Sequence, residues 1–468
     1  MIDLLKRIAR HRAFPFLLFA VIFAFGYLPY FMWAPLVEMP QDTYGYYYYA
    51  QLIGKHAFPL PTLIGMDLPL GMPLFLLVMK HLSYSVQTVA LVQVLLFAAT
   101  ALFLIKQFQK YLPDYATLVA VLLGLYAIDS ESLRLNTMLY TESIYMSSLF
   151  VLLAILLSAV YKPNQRSYLL LSLAVLVPAV IRSNGIFLYY LPVFFGLFAV
   201  VRLKNKTLLK GLAAGTITGL LVWASMNYVT KGVFMFGDYK RFEKIFNRSA
   251  EEARNKYAYE LKNLEGYDST ETYLQRHTRM FKVYLNNFSE TKPSFYYSYM
   301  QSRYEDVMIK RTQNSPHLLI INYYPLDSLA PDLRAYMFAG LLDRRDCLET
   351  ITTTFNPTNK KANKWGLATH VVYRAFDLLM RNKLVIALWL MALVFSGWQL
   401  LLRQHAASFD VVLFLFALTH FLSLIVISFG HVRPQIRYAH VTEFLLLISA
   451  GLFLWRSMPA FISFKRSS

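Results

Sequence analysis

Long apolar runs recur along this chain, and they limit what it can fold into. They fall near residues 14–37, 88–105, 115–128, 143–161, 168–181, 186–201, 211–228, 383–402, 408–429 and 441–455. A helix needs about 17–25 residues to cross the roughly 30 Å of bilayer hydrocarbon, and most of the runs approach that length. In lipid every backbone polar group must be paired within its own segment, so such runs read as helices. The runs at 115–128 and 168–181 are short. They need extension at their ends or a locally thinned bilayer. Pro178 inside the second predicts a kink. The first run follows Lys6, Arg7, Arg10 and Arg12, as a signal peptide would. It is too long for one and no small-residue cleavage site follows, so it reads as an uncleaved first span.

Charge supports the same class. Only 16% of the 468 residues are charged, against about 25% in a soluble domain. A formal charge of +19 would suggest nucleic acid in a soluble chain, but such a binder needs far more polar surface. The apolar content excludes disorder, and the single cysteine, Cys347, excludes a disulfide scaffold. Much of the excess follows from topology. With the N-terminus inside, the inner segments hold 16 Lys and Arg residues against three acids, Asp3, Asp114 and Asp410. This alternation requires about ten spans, cytoplasmic termini, and a stretch at 69–83 that does not cross. That stretch, PLGMPLFLLVMKHLS, carries two prolines and a lysine. It reads as an interfacial or re-entrant helix on the outer face.

The expected architecture is an all-α polytopic membrane protein. An N-terminal transmembrane module, 1–228, carries a first outer loop at 38–87, and C-terminal transmembrane helices occupy 383–468. Between them lies 229–382, which is polar, rich in tyrosine and broken by five prolines, with 23 Lys and Arg against 17 Asp and Glu. It reads as a mainly helical extracytoplasmic insertion. No internal repeat of the kind that marks many transporters is visible.

Ionisable residues near apolar spans are expensive and are candidates for function. Asp42, Asp67, Glu142, Arg182, Arg433, Arg437 and Glu443 all fall at or near outer span ends. A channel or proton-coupled carrier needs polar groups along its whole path, so a one-sided set favours an enzyme at the outer membrane surface. Asp42, in MPQDTYGYYYYAQLIG, could accept a proton from an acceptor hydroxyl or help hold a metal; it could equally cap a helix. Tyr44, Tyr46, Tyr47, Tyr48 and Tyr49 follow it. They suit an aromatic belt, and one or two could stack on a sugar ring. Glu142, in LYTESIYMSS, is either a site carboxylate or an acid placed at a helix N-terminus. Arg182, Arg433 and Arg437 could hold phosphate bidentately or anchor to lipid head groups. His431 and His440 could be metal or phosphate ligands, or hydrogen-bonded interface residues. No Gly-rich phosphate loop, CxxC, HExxH or G-x-S-x-G occurs, and the sequons at 247–249 and 287–289 are at chance level.

Four features in order resemble the GT-C membrane glycosyltransferases that use polyprenyl-phosphate sugars. They look in particular like relatives of the protein O-mannosyltransferases and of the lipid A aminoarabinose transferase. The features are Asp42 in the first outer loop, the DxPLGxPLF stretch from Asp67 to Phe75, the Thr141–Glu142 pair heading the fourth span, and RxxxRY from Arg433 to Tyr438 before the last span. The family's first-loop acid is often a pair, whereas Asp42 stands alone. The resemblance implies transfer of a hexosyl or pentosyl group from a polyprenyl-phosphate donor to an acceptor hydroxyl, with inversion, at the extracytoplasmic face of a bacterial inner membrane. Asp42 would be the general base. Glu142 would orient the acceptor or Asp42, or complete a metal site. Arg182, Arg433 and Arg437 would bind the donor phosphate, and Tyr44, Asp67 and Tyr438 would contact substrate. No cofactor is called for with certainty, and a divalent metal stays open. Expected partners are the lipid-linked donor, membrane lipid and an acceptor glycan, lipid or protein, with no nucleic acid. Competing readings are a flippase or transporter of a lipid-linked saccharide, an O-antigen ligase or polymerase-type enzyme, and a non-catalytic assembly subunit.

Overall fold

The computed structural model describes residues 12–33, 46, 49–50, 52–56, 69–82, 86–137, 139–231, 383–402, 408–430 and 436–467. Asp42, Tyr44, Asp67, Arg433, His431 and nearly all of the expected insertion lie outside the described residues. Arg437 and Tyr438 are placed by the backbone of the last helix.

Each of the ten apolar runs is helical over most or all of its described residues. The elements are α1 (Phe14–Trp33), α2 (Gly71–Leu82), α3 (Val86–Tyr111), α4 (Pro113–Ala127), α5 (Ser130–Thr137), α6 (Thr141–Tyr161), α7 (Gln165–Ala174), α8 (Leu176–Ile181), a 3₁₀ segment (Ser183–Tyr189), α9 (Tyr190–Leu197), a π turn (Phe198–Arg202), α10 (Thr207–Lys231), α11 (Lys383–Leu402), α12 (Ser408–Gly430) and α13 (Ile436–Ser467). Among the described residues there is no strand. Among the described residues, five helices are long and apolar enough to cross a membrane: Thr88–Tyr111, Thr141–Tyr161, Thr207–Val229, Leu384–Leu402 and Ser408–Val426. Phe14–Tyr27, Pro113–Ala127, Gln165–Ile181 and Phe187–Arg202 are shorter apolar helical stretches.

Helix α6 is the centre of the bundle. From Thr141 to Val160 every residue is buried except Val151, Ile155 and Ser158, which line one narrow stripe. Helix α3 packs along it, α1 lies on α4, and α11, α12 and α13 pack against one another. Peripheral helices turn apolar side chains outwards. Val394, Trp398 and Leu401 of α11 and Ile217, Leu221 and Val229 of α10 are exposed. Such a surface is unfavourable in water and expected against lipid tails.

Pro178 breaks its run as its chemistry requires. It has no N–H to donate to the carbonyl of Ala174, so α7 ends at Ala174 and α8 begins at Leu176. After Arg182 the chain forms the 3₁₀ segment, and the next run continues through α9 and the π turn. Gly185 permits this. A Cβ there would lie 2.5 Å from the carbonyl oxygen of Pro178, so the chain can fold back on α8 only with glycine.

Helix α2 falls in the stretch expected not to cross. Its 12 residues span about 18 Å as a helix, too short to cross. Met72, Leu76 and Met79 are buried while Val78 is exposed. Its first residue, Gly71, sits against Ile181 at the end of α8, where a Cβ would lie 2.6 Å from the Ile181 backbone. The proline-rich stretch is therefore docked beside Arg182.

Candidate active site

Glu142 lies in the first turn of α6, where no side chain caps the helix. The backbone N–H groups of a first helical turn and the helix dipole both favour an anion at that place. Arg182 ends α8 in extended conformation. The fold brings the two together: Arg182 Nη1 is 3.1 Å from Glu142 Oε1. The Thr141 hydroxyl donates to Glu142 Oε2 at 3.0 Å. The guanidinium also stands over the ring of Tyr145, 5.7 Å from its centroid and one turn along α6. Both charged groups are buried, at 8% exposure for Arg182 and 2% for Glu142. The α2–α8 contact sets one wall of this end of the bundle.

A second polar cluster sits at the same end. Tyr126, near the end of α4, shows the connection. Its hydroxyl lies 2.9 Å from Met146 Sδ, one turn beyond Glu142, and donates to the carbonyl of His440 in α13 at 2.8 Å. His440 is fully buried. Its Nε2 is 2.8 Å from the Ser132 hydroxyl and 3.5 Å from Asp129 Oδ2, and its Nδ1 is 2.6 Å from Glu443 Oε2. The head of α6 is tied to α5 as well, since Ser143 donates to Asn136 Oδ1 at 2.7 Å and Asn136 donates to the Tyr27 hydroxyl at 2.7 Å. Of the histidines singled out in the sequence, His440 thus proves to be a hydrogen-bonded interior residue. Tyr46 and Tyr49 of the tyrosine run are buried in the core rather than spread along a water-facing belt.

Sequence reasoning passed over Asp129 and Ser132. They lie in the polar stretch IDSES, which reads as an ordinary turn, and nothing local announces a histidine more than 300 residues away. Of two further buried ionisable groups, one borders this cluster and the other lies far along α13 from it. His420, near the middle of α12, pairs with the Thr442 hydroxyl at 3.0 Å. Asp410, at the start of α12, forms an ion pair with Arg456 of α13. Arg456 stands over Phe409, which stacks on Tyr115. Arg456 lies sixteen residues after His440, so the two ends of α13 carry separate polar clusters about 24 Å apart. Among the described residues no group of three or more His, Cys, Asp or Glu is arranged to hold a metal ion.

No family model and no curated protein matches the chain. A solved structure does. The apo crystal structure of the Archaeoglobus fulgidus oligosaccharyltransferase superposes with a TM-score of 0.51 at 10% identity, over 97% of this chain and 52% of that one. The chain shares the fold of the part of that structure it covers. At this identity the likeness is one of fold alone. A second structure, the archaeal oligosaccharyltransferase AglB from Archaeoglobus fulgidus with an inhibitory peptide and a dolichol-phosphate, scores 0.49 at 12% identity, over 97% and 51% of the two chains. The chain spans about half the length of these enzymes.

Proposed function

We propose that this protein is a membrane glycosyltransferase that moves a sugar from a polyprenyl-phosphate donor to an acceptor hydroxyl at the extracytoplasmic face. The observation that carries the reading is the buried Glu142–Arg182 pair at one end of a bundle that shares its fold with part of an oligosaccharyltransferase. A lipid-linked donor explains a site at the end of a bundle of apolar helices. The polyprenyl tail stays in hydrocarbon while the phosphate and sugar project into the rim.

In this reaction the acceptor oxygen attacks the anomeric carbon from the face opposite the phosphate, and the configuration inverts. The bond between the anomeric carbon and the phosphate oxygen breaks, and its electron pair leaves with the lipid phosphate. Asp42 takes the acceptor proton as general base. Arg182, Arg433 and Arg437 meet the charge that develops on the departing phosphate. A guanidinium can hold a carboxylate on one edge and a phosphate on another. In that arrangement the contact with Glu142 aims Arg182 rather than disabling it. Glu142 acts by holding Arg182 and orienting the acceptor, and Tyr44, Asp67 and Tyr438 contact the sugar and acceptor. Cytoplasmic termini, about ten crossings and a bacterial inner-membrane location complete the proposal.

Purified protein given a labelled polyprenyl-monophosphate sugar should form a new glycosidic bond. Asp42→Ala should keep expression and donor binding and lose transfer; near-wild-type transfer by that variant would remove the assigned base. Transfer from a lipid diphosphate but not a monophosphate would indicate a ligase or polymerase. Movement of the lipid-sugar across liposomes with no bond formed would indicate a flippase.

A further inference from the structure

No residue of the Asp129–Ser132–His440–Glu443 cluster touches the substrate in the reaction just described, although the cluster gathers three buried ionisable groups around one serine. Ser132, His440 and Glu443 stand in the order of a nucleophile–base–acid relay. Ser132, however, has no exposed surface, so no substrate atom can reach its hydroxyl without the bundle opening. A buried, mutually satisfied polar network has another use, which is to specify one packing of the elements it joins.

The geometry points to His440 as a positioning residue for the donor phosphate. This rests on the transferase reading above. The ring is held at both nitrogens and on one face. Ser132 of α5 meets Nε2, Glu443 meets Nδ1 one turn further along α13, and Asp129 in the α4–α5 connection lies 3.5 Å from Nε2. Tyr126 of α4 stacks on the ring with centroids 4.9 Å apart, and its hydroxyl grips the His440 carbonyl. One residue of α13 is thus fastened to two other elements through both its side chain and its backbone.

What that residue controls follows from its place. His440 falls in the first turns of α13, and Arg437 sits three residues before it in the same helix. The cluster therefore fixes the rotation of the turn bearing Arg437, at the end of the bundle where Glu142 and Arg182 meet. Phosphate affinity from several arginines depends on their being held in place before the ligand arrives. His440 supplies that restraint for the α13 contribution without touching the lipid.

The test uses the full-length protein in detergent or nanodiscs, with sugar-free polyprenyl monophosphate as the probe, binding measured directly, and donor KM and kcat measured in parallel. His440→Ala should weaken lipid-phosphate binding and raise donor KM about tenfold, and kcat should fall too, because Arg437 also meets the charge that develops on the departing phosphate. Ser132→Ala should shift all three in the same direction by less. His440→Asn keeps an N–H donor towards Glu443 and should recover most of the affinity. A role in packing alone predicts a lower melting temperature with unchanged affinity in the folded fraction, and that result would overturn the inference. So would wild-type affinity in His440→Ala. A wild-type protein that binds no polyprenyl phosphate would remove the transferase reading, and the inference with it. Wild-type binding with an unaffected His440→Ala would remove the inference alone.

Discussion

The Glu142–Arg182 contact is where single residues decide most. Each was legible in the sequence as a charge at a span end, but not as a partner of the other. Forty residues separate them, and the Pro178 break and the α8 end that aim Arg182 back at α6 have no local signature beyond the proline itself. The pairing has an energetic consequence. Removing one member of a buried ion pair strands the other and costs about 3–5 kcal/mol. Arg182→Met should therefore lower stability by about that amount, read from the melting temperature or a denaturant midpoint. Adding Glu142→Gln should recover part of it, because the stranded charge is gone. Stability that falls further in the double variant would mean that the two residues do not compensate one another. Transfer activity should not return with the stability, since both groups belong to the proposed site. Asp129 and Ser132 show the opposite case. Their chemistry is plain in the sequence, but their role depends on His440, which only the folded chain brings near.

At the scale of elements the apolar runs were the most legible feature, because a lipid-facing helix must be apolar along its length whatever it packs against. The interruptions were less so. Pro178 announced a kink, but the 3₁₀ segment and the π turn that follow depend on packing that no periodicity reports. The α7–α10 contact gives the sharpest prediction at this scale. Gly211, Gly215 and Gly219 recur every fourth residue of α10 and let it approach α7 closely. A Cβ at Gly211 would collide with the Gln165 carbonyl, and one at Gly215 would lie 2.7 Å from the Leu169 carbonyl. Backbone cannot give way as a side-chain tip can. At Gly219 the nearest atom is the Tyr189 hydroxyl, 3.3 Å away. Gly211→Ala and Gly215→Ala should each destabilise by about 1–3 kcal/mol, and Gly219→Ala by clearly less. Thermal melting of the three variants checks the order, and a Gly219→Ala that costs the most would refute this account of the packing.

For the whole molecule, the distribution of basic residues implies an orientation, and the single native cysteine makes that testable. In a Cys347→Ser background, Arg166→Cys and Lys206→Cys should be labelled by a membrane-impermeant thiol reagent only after the inner face is opened. Asn287→Cys should be labelled from outside in intact cells. The reverse pattern would turn the bundle over and place the Glu142–Arg182 end in the cytoplasm. Fold, orientation and site meet in one claim, that this end of the bundle transfers a sugar from a lipid phosphate. The direct measurement is formation of a glycosidic bond from a labelled polyprenyl-monophosphate sugar by the purified wild-type protein and by Glu142→Gln. The account predicts transfer by the wild type and a loss on the order of a hundredfold in kcat for the variant, the scale expected when a group that organises transition-state charge is removed. No transfer by the folded wild-type protein with its acceptor present, or an equal rate in Glu142→Gln, would contradict it.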